Sequence, residues 1–344
     1  MATYISFQPS DNFSTTLYTG TGASNAVTGV GFSADFTWIK DRDATGYHNL
    51  FDTARGATKR VFSNVANAEN TEAESLKSWE SDGFTVGTHA DCNLSGSDIV
   101  SWNWKGGTTV VPSGGTITPT ACSFNATTGF GIYAYTGNDT SGATIAHGLG
   151  VAPQMIITKN LDSGESWVTY HIATNGGTDP EDYFKILDTN VAKSDSAVYW
   201  NDTKPDATYF TLGDSPRVND TVDFIAYVFA PVKGFSHMSA YRGNNNVEGA
   251  FAYCGFRPAF VMIKSDESNN WVMWDDKRGY NGALKISYPN DTAVEATSDL
   301  DLLSNGFKIR NTTSDQNASG QVFTYLAMAE FPLVSSNDIP TVAR

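Results

Sequence analysis

Tyr241-Arg242-Gly243 followed by Gly255-Phe256-Arg257-Pro258-Ala259-Phe260-Val261-Met262-Ile263-Lys264 decides the fold. It holds a Tyr-x-Gly turn, a polar run, then Gly-aromatic-x-Pro leading into an apolar strand that ends on lysine. The same order of features occurs twice more. Tyr135-Thr136-Gly137 leads to Gly148-Leu149-Gly150-Val151-Ala152-Pro153-Gln154-Met155-Ile156-Ile157-Thr158-Lys159. Tyr18-Thr19-Gly20 leads to Gly31-Phe32-Ser33-Ala34-Asp35-Phe36-Thr37-Trp38-Ile39-Lys40, with Ser-Ala replacing the X-Pro step. In chain order the tyrosine-to-lysine interval is 22, 24 and 23 residues, and successive lysines lie 119 and 105 residues apart. Self-similarity at such a period marks one supersecondary unit written repeatedly.

Outward from these landmarks, short apolar runs alternate with Gly, Asn, Asp, Ser and Thr clusters, the pattern of strands joined by turns. A helical turn is expected only around residues 69–77. About seven short strands per hundred residues describe an antiparallel sandwich. The expected fold is therefore all-β, with three tandem β-sandwich (jelly-roll-like) repeats of about a hundred residues. The boundaries are an N-terminal arm at 1–16, repeats at 17–107, 130–233 and 234–333, a Gly/Thr/Pro-rich linker at 108–129, and a tail at 334–344. For the arm, docking on a neighbour and a first edge strand are both open readings.

The chain has 344 residues and a net charge of −15. That sign opposes a nucleic-acid footprint, which needs a basic face, and docking on anionic lipid. No apolar run approaches the length of a membrane span, so no membrane insertion is expected. Cys92, Cys122 and Cys254 are odd in number and lack a CxxC, so buried thiols are expected rather than disulfides. Met1–Pro9 has neither a basic nor an apolar region, and no signal peptide is expected.

Catalytic signatures are missing from the sequence: there is no HExxH, no G-x-S-x-G and no P-loop. Gly148-Leu149-Gly150 lacks the third glycine of a dinucleotide fingerprint and reads as a turn. Asp52 and Asp275 each precede an arginine by three residues (Arg55, Arg278), while the second copy has Tyr170-His171 at that place. The expected role is a structural ion pair at a strand end. Acidic stretches such as Asp179-Pro180-Glu181-Asp182 lack the D-x-D-x-D-G loop of a calcium site; no metal and no cofactor is expected, and the chain is expected not to be an enzyme.

Candidate binding residues come from what distinguishes the copies. The second carries two surplus polar stretches, 174–182 and 193–206. Within them lies Tyr199-Trp200-Asn201-Asp202, a tryptophan for which the other copies offer no counterpart in sequence. An exposed indole can stack on the apolar face of a pyranose. Tyr199, Trp200, Asn201 and Asp202, with Asp179, Glu181 and Asp182, are therefore the expected ligand-binding set.

The string of Tyr-Thr-Gly-Asn, His147-Gly148-Leu149-Gly150-Val151-Ala152-Pro153 before Met155-Ile156-Ile157, the Gly255–Lys264 stretch and Leu303-Ser304-Asn305-Gly306-Phe307-Lys308 resembles a repeat found in virion proteins of tailed bacteriophages, many of them marine. The opening Ile5-Ser6-Phe7-Gln8-Pro9-Ser10-Asp11 resembles the start of such proteins as well. The resemblance covers nearly the whole chain and brings no catalytic residues. It implies a virion location, a tail-fibre or receptor-binding role at a host glycan or protein, other virion proteins as partners through the arm, and a homotrimer. A capsid head-fibre or decoration protein is the alternative, and a polysaccharide depolymerase a more distant one.

Overall fold

The lysine-bearing strands Phe36–Asp41, Met155–Asn160 and Phe260–Ser265 are buried at every position. In a strand, alternate side chains point to opposite faces, so complete burial means that both faces of the sheet are covered. The computed structural model, which describes residue 5 and residues 7–331, shows what covers them. Three large antiparallel sheets of six, seven and six strands are each backed by a small sheet of three, two and three strands. The fold is all-β, as expected. We call the three segments units one, two and three.

In each unit the lysine strand lies between a closing strand (Asp98–Trp104, Asp223–Phe229, Val322–Met328) and a following strand (Asn49–Asp52, Val168–His171, Val272–Asp275). An opening strand (Phe13–Thr19, Phe130–Thr136, Ser236–Arg242) flanks the closing strand. A fourth strand (Lys59–Phe62, Tyr183–Ile186, Lys285–Ser287) flanks the following strand.

The outward set of side chains packs under the small sheet. In unit three it includes Val261 and Ile263 with Phe307 and Leu302. The inward set, including Phe260 and Met262, joins Phe36, Trp38, Trp102, Trp104, Ile157 and Tyr227 in a core common to all three units. Rings interlock across unit boundaries there: Phe36 lies 4.3 Å from Tyr227 between centroids, and Trp104 meets Phe260 edge-on at 5.8 Å. The sandwich layering is as expected, but the three units are not self-contained. Each large sheet has too much apolar surface for one small sheet to cover, and its second face is buried against the other units.

Polar bonds close the arrangement into a ring. The main-chain NH of Glu69 donates to Leu161 O, that of Lys193 to Asp266 O, and that of Glu295 to Arg42 O, joining units one to two, two to three and three to one. Trp167 Nε1 donates to Phe62 O at 2.7 Å and Trp271 Nε1 to Ile186 O at 2.8 Å. His48 holds the matching place in unit one, accepts from Trp38 Nε1 at 2.9 Å, and faces the Tyr288 backbone.

The last residue of each following strand completes the seams. Asp52 pairs with Arg55 at 2.6 Å and accepts from Tyr227 OH of unit two at 2.8 Å. Asp275 pairs with Arg278 at 2.6 Å and accepts from Trp102 Nε1 of unit one at 3.0 Å. His171 fills that place in unit two, with Nε2 2.9 Å from Tyr325 O of unit three. The carboxylates are structural, and histidine answers the same geometric demand by another bond.

Two expected boundaries change. Phe13–Thr16, assigned to the arm, belong to the opening strand of unit one, paired with Trp104–Ser101. Upstream, Phe7 packs edge-on against Phe235 of the same chain at 5.2 Å. Within the expected linker, Ala121–Asn125 form an extra strand on the outer edge of unit two's sheet. The tail at 334–344 lies outside the described residues.

The short helices fall at Ala90–Asn93, Ala197–Trp200 and Ser314–Asn317 instead of around 69–77. Asn93 and Asn317 end two of them, and Asn219 ends a matching turn in unit two. Each is buried, and its amide ties the loop after the Tyr-x-Gly turn: Asn219 Oδ1 accepts from Asn138 N, and Nδ2 donates to Thr140 O and Gly213 O. The turn tyrosines reach the same place, with Tyr18, Tyr135 and Tyr241 hydroxyls donating to Cys92 O, Val218 O and Gln316 O.

Candidate functional site

The surplus stretches of unit two fold into tight turns at its rim. Asn175, Asp179, Asn201 and Asp202 all have left-handed backbones, with φ of 57°, 41°, 52° and 45°. Asn and Asp tolerate that region better than other side-chain-bearing residues, because their short polar groups bond locally. Pro180 starts a single 3-10 turn through Asp182, whose carbonyl accepts from Ser196 N at 2.8 Å. This contact folds the second stretch back over the first.

The result is an acidic patch. Asp179 and Asp202 are exposed, and Glu181, Asp182 and Asn201 are half-buried. The Asp182 carboxyl is raised above its ordinary range, first by desolvation and then by the like charges of Asp202, Asp179, Glu181 and Asp195. Lys204 answers Glu181 at 3.4 Å. Asn201 Oδ1 accepts from Ser141 Oγ at 2.8 Å. No group of three or more metal-ligating side chains is assembled among the described residues. The patch can repel anions and offers oxygen acceptors to hydroxyl or amine donors.

Tyr199 and Trp200 do not belong to it. Trp200 is 2% exposed, against 3% for Trp38 in the common core, and Tyr199 is 8% exposed. Trp200 meets Tyr170 edge-on at 5.9 Å, and Tyr199 lies 3.8 Å from Phe184. The hydrogen bonds explain the discrepancy. Gly213 N donates to Tyr199 O and Ser215 N to Val198 O, as Gly87 N donates to Ser75 O and His89 N to Glu74 O in unit one. Trp200 therefore stands where unit one has the fully buried Leu76. Leu76 opens the third strand of unit one's small sheet, and unit two's small sheet lacks that strand. A short helix and a large indole fill the space instead. Core demand does explain this tryptophan, and it is not a stacking platform.

Of the other reactive groups, His48, His147, His171 and the three cysteines are buried, and His89 and His237 are half-buried. All five histidines have lowered pKa values with burial as the first cause, and His171 falls to about 3. Burial pushes the Cys254 thiol up to about 12 and raises Cys92 and Cys122 as well. The lysines next to the ends of the central strands clamp the next loop: Lys40 donates to Asp41 O and Ala44 O, Lys159 to Asn160 O and Ser163 O, and Lys264 to Ser265 O and Glu267 O. Burial lowers them to about 8, 8 and 7.

Exposed aromatic surface lies elsewhere, in unit three. Tyr253 is 62% exposed, Tyr280 74% and Phe251 45%. An emphasis on tryptophan misses them. The signal available in the sequence is Phe251-Ala252-Tyr253, whose alternation places two aromatics on one strand face and alanine on the other.

Neither the curated proteins nor the solved structures contain a match to the chain. A family model described as a domain of unknown function, DUF7483, matches residues 8–332. The match runs from the segment before the first opening strand to just beyond the last closing strand, taking in the entire ring, and the chain belongs to the DUF7483 family.

Proposed function

We propose that the chain is a non-catalytic structural protein of a tailed-bacteriophage virion, a tail-fibre or receptor-binding subunit that meets a host-surface glycan through its rim. The observation carrying this reading is the division of labour among side chains. The shared landmarks serve the interior: the aspartate–arginine pairs of units one and three lie at seams, the buried lysines clamp the loops that follow them, and the apolar strands fill the cores. Differences between units also reach the surface, as the acidic patch of unit two and the exposed aromatics of unit three. A rigid interior with a variable rim suits weak surface contacts made multivalent by assembly. Other virion proteins and further copies of the chain are the partners in this proposal.

The test is to label purified particles with antibody against the chain and to add the isolated protein to an adsorption assay. Labelling of the particle and a dose-dependent fall in adsorption are expected. Absence of the chain from particles would overturn the virion reading; labelling without competition would overturn the receptor role and leave a decoration protein.

A further inference from the structure

Unit three has a cleft of about 570 Å³ between the start of its opening strand and the strand Phe251–Tyr253. Tyr253, Gly255, His237 and Asn305 are among the residues lining it. Gly255 has φ of 81°, and a Cβ there would lie 3.5 Å from the Tyr253 hydroxyl, so glycine leaves that side of the ring uncovered. The Tyr253 ring presents an apolar face on an exposed wall.

The polar groups have a defined sense. The Tyr325 hydroxyl donates its single proton to Tyr253 O at 2.8 Å. The His237 Nδ1, 2.9 Å from the same hydroxyl, must therefore be the donor in that pair. In neutral imidazole this leaves Nε2 as an acceptor, and burial keeps His237 neutral by lowering its pKa. Asn305 is exposed and offers both a carbonyl oxygen and an NH2 group. No carboxylate lines the cleft, in a chain whose net charge is −15.

The other units lack this combination. By strand register, Tyr253 corresponds to Thr28 and Ala146, and His237 to Ser14 and Gly131. In unit two that corner is covered by the chain itself: Thr116 N donates to Thr144 Oγ1, and Ile117 bridges to Ile145.

We propose that this cleft is a carbohydrate subsite for a pyranose, with the sugar's C–H face on Tyr253 and its hydroxyls bonded to His237 Nε2 and the Asn305 amide. An aromatic wall with a few neutral donors and acceptors suits a ligand that is apolar on one face and hydroxylated at its edge. Lys233 also lines the cleft and carries its one formal charge, while the groups placed against the sugar, His237 and Asn305, are neutral. The subsite deepens the receptor-binding reading and rests on it for its biological meaning, though not for its chemistry.

The experiment is saturation-transfer NMR on the full chain with the methyl pyranosides of glucose, galactose, mannose and N-acetylglucosamine as probes. At least one is expected to receive saturation, strongest at ring protons of one face. Tyr253→Ala should weaken that binding by about tenfold or more, equivalent to roughly 1.4 kcal/mol, and Asn305→Ala should weaken it too. Tyr280→Ala, which removes a still more exposed ring, should leave it unchanged. Thermal melts establish that the variants are folded. No saturation with any probe, or equal binding by Tyr253→Ala, would overturn the subsite even if the chain is on the particle. A sugar bound at Tyr253 by a chain absent from particles would sustain the subsite and sink the virion reading.

Discussion

Trp200 shows how a single residue can mislead. It lies in a surplus stretch of sequence, yet the bonds around Val198 and Tyr199 place it in the slot of Leu76. Trp200→Ala is therefore expected to lower stability by roughly 3–5 kcal/mol, as for other buried tryptophans, visible as a lower denaturant midpoint. Unchanged stability would return Trp200 to the rim. The Tyr-x-Gly glycines carry a different constraint: a Cβ on Gly137 would sit 2.0 Å from Asp220 O, and one on Gly20 2.0 Å from Leu94 O. Gly137→Ala should cost roughly 1–3 kcal/mol as the loop is pushed off its neighbour, read by the same denaturation. His171 supplies a pH test. Its pKa is about 3 in the folded chain against an ordinary 6.5, with burial first and Lys185 second among the causes. The unfolded chain therefore binds the extra proton, and the contribution is complete above pH 6.5 and lost as pH falls toward 3. The thermal midpoint of His171→Gln should fall less than that of the parent between pH 7 and pH 5. An identical fall would show that His171 does not drive the acid limb.

At the scale of the strand, the run Phe260-Val261-Met262-Ile263-Lys264 was legible as a buried strand, because unbroken apolar sequence needs cover on both faces. The identity of the cover was not legible. Val261 and Ile263 look to their own small sheet, while Phe260 and Met262 look to the other units. Nothing in a period of two distinguishes these destinations. Paired substitutions separate them: Met262→Lys and Ile263→Lys should each prevent folding, since either leaves an uncompensated charge in a core. Independent sandwiches would tolerate the first, and soluble, cooperative Met262→Lys protein would disprove the shared core. The buried Asn93, Asn219 and Asn317 were overlooked for a related reason. Asparagine ordinarily marks a turn, and only a place four or five residues before each closing strand sets these three apart.

For the whole molecule, the repeated landmarks made an all-β chain legible, but not the ring. Its seams are built largely on main-chain carbonyls such as Phe62 O, Ile186 O and Arg42 O, which have no sequence signature. Unit one meets unit three through Arg42, which pairs with Glu295 at 2.8 Å across 253 positions of sequence. Because one chain buries all three inner faces, the unfolding midpoint should not depend on protein concentration, as it would if stability required association. An excised segment covering residues 108–233 should fail to give a cooperative melt, its aromatic inner face being bared. A sharp transition from that segment would restore independent domains. Closure also limits how this architecture can vary. An open solenoid lengthens by stacking one more module on its end, whereas here each inner face already has its two neighbours. A fourth module would have no berth without prising apart an existing joint, so this fold counts to three and change must come through its outer loops.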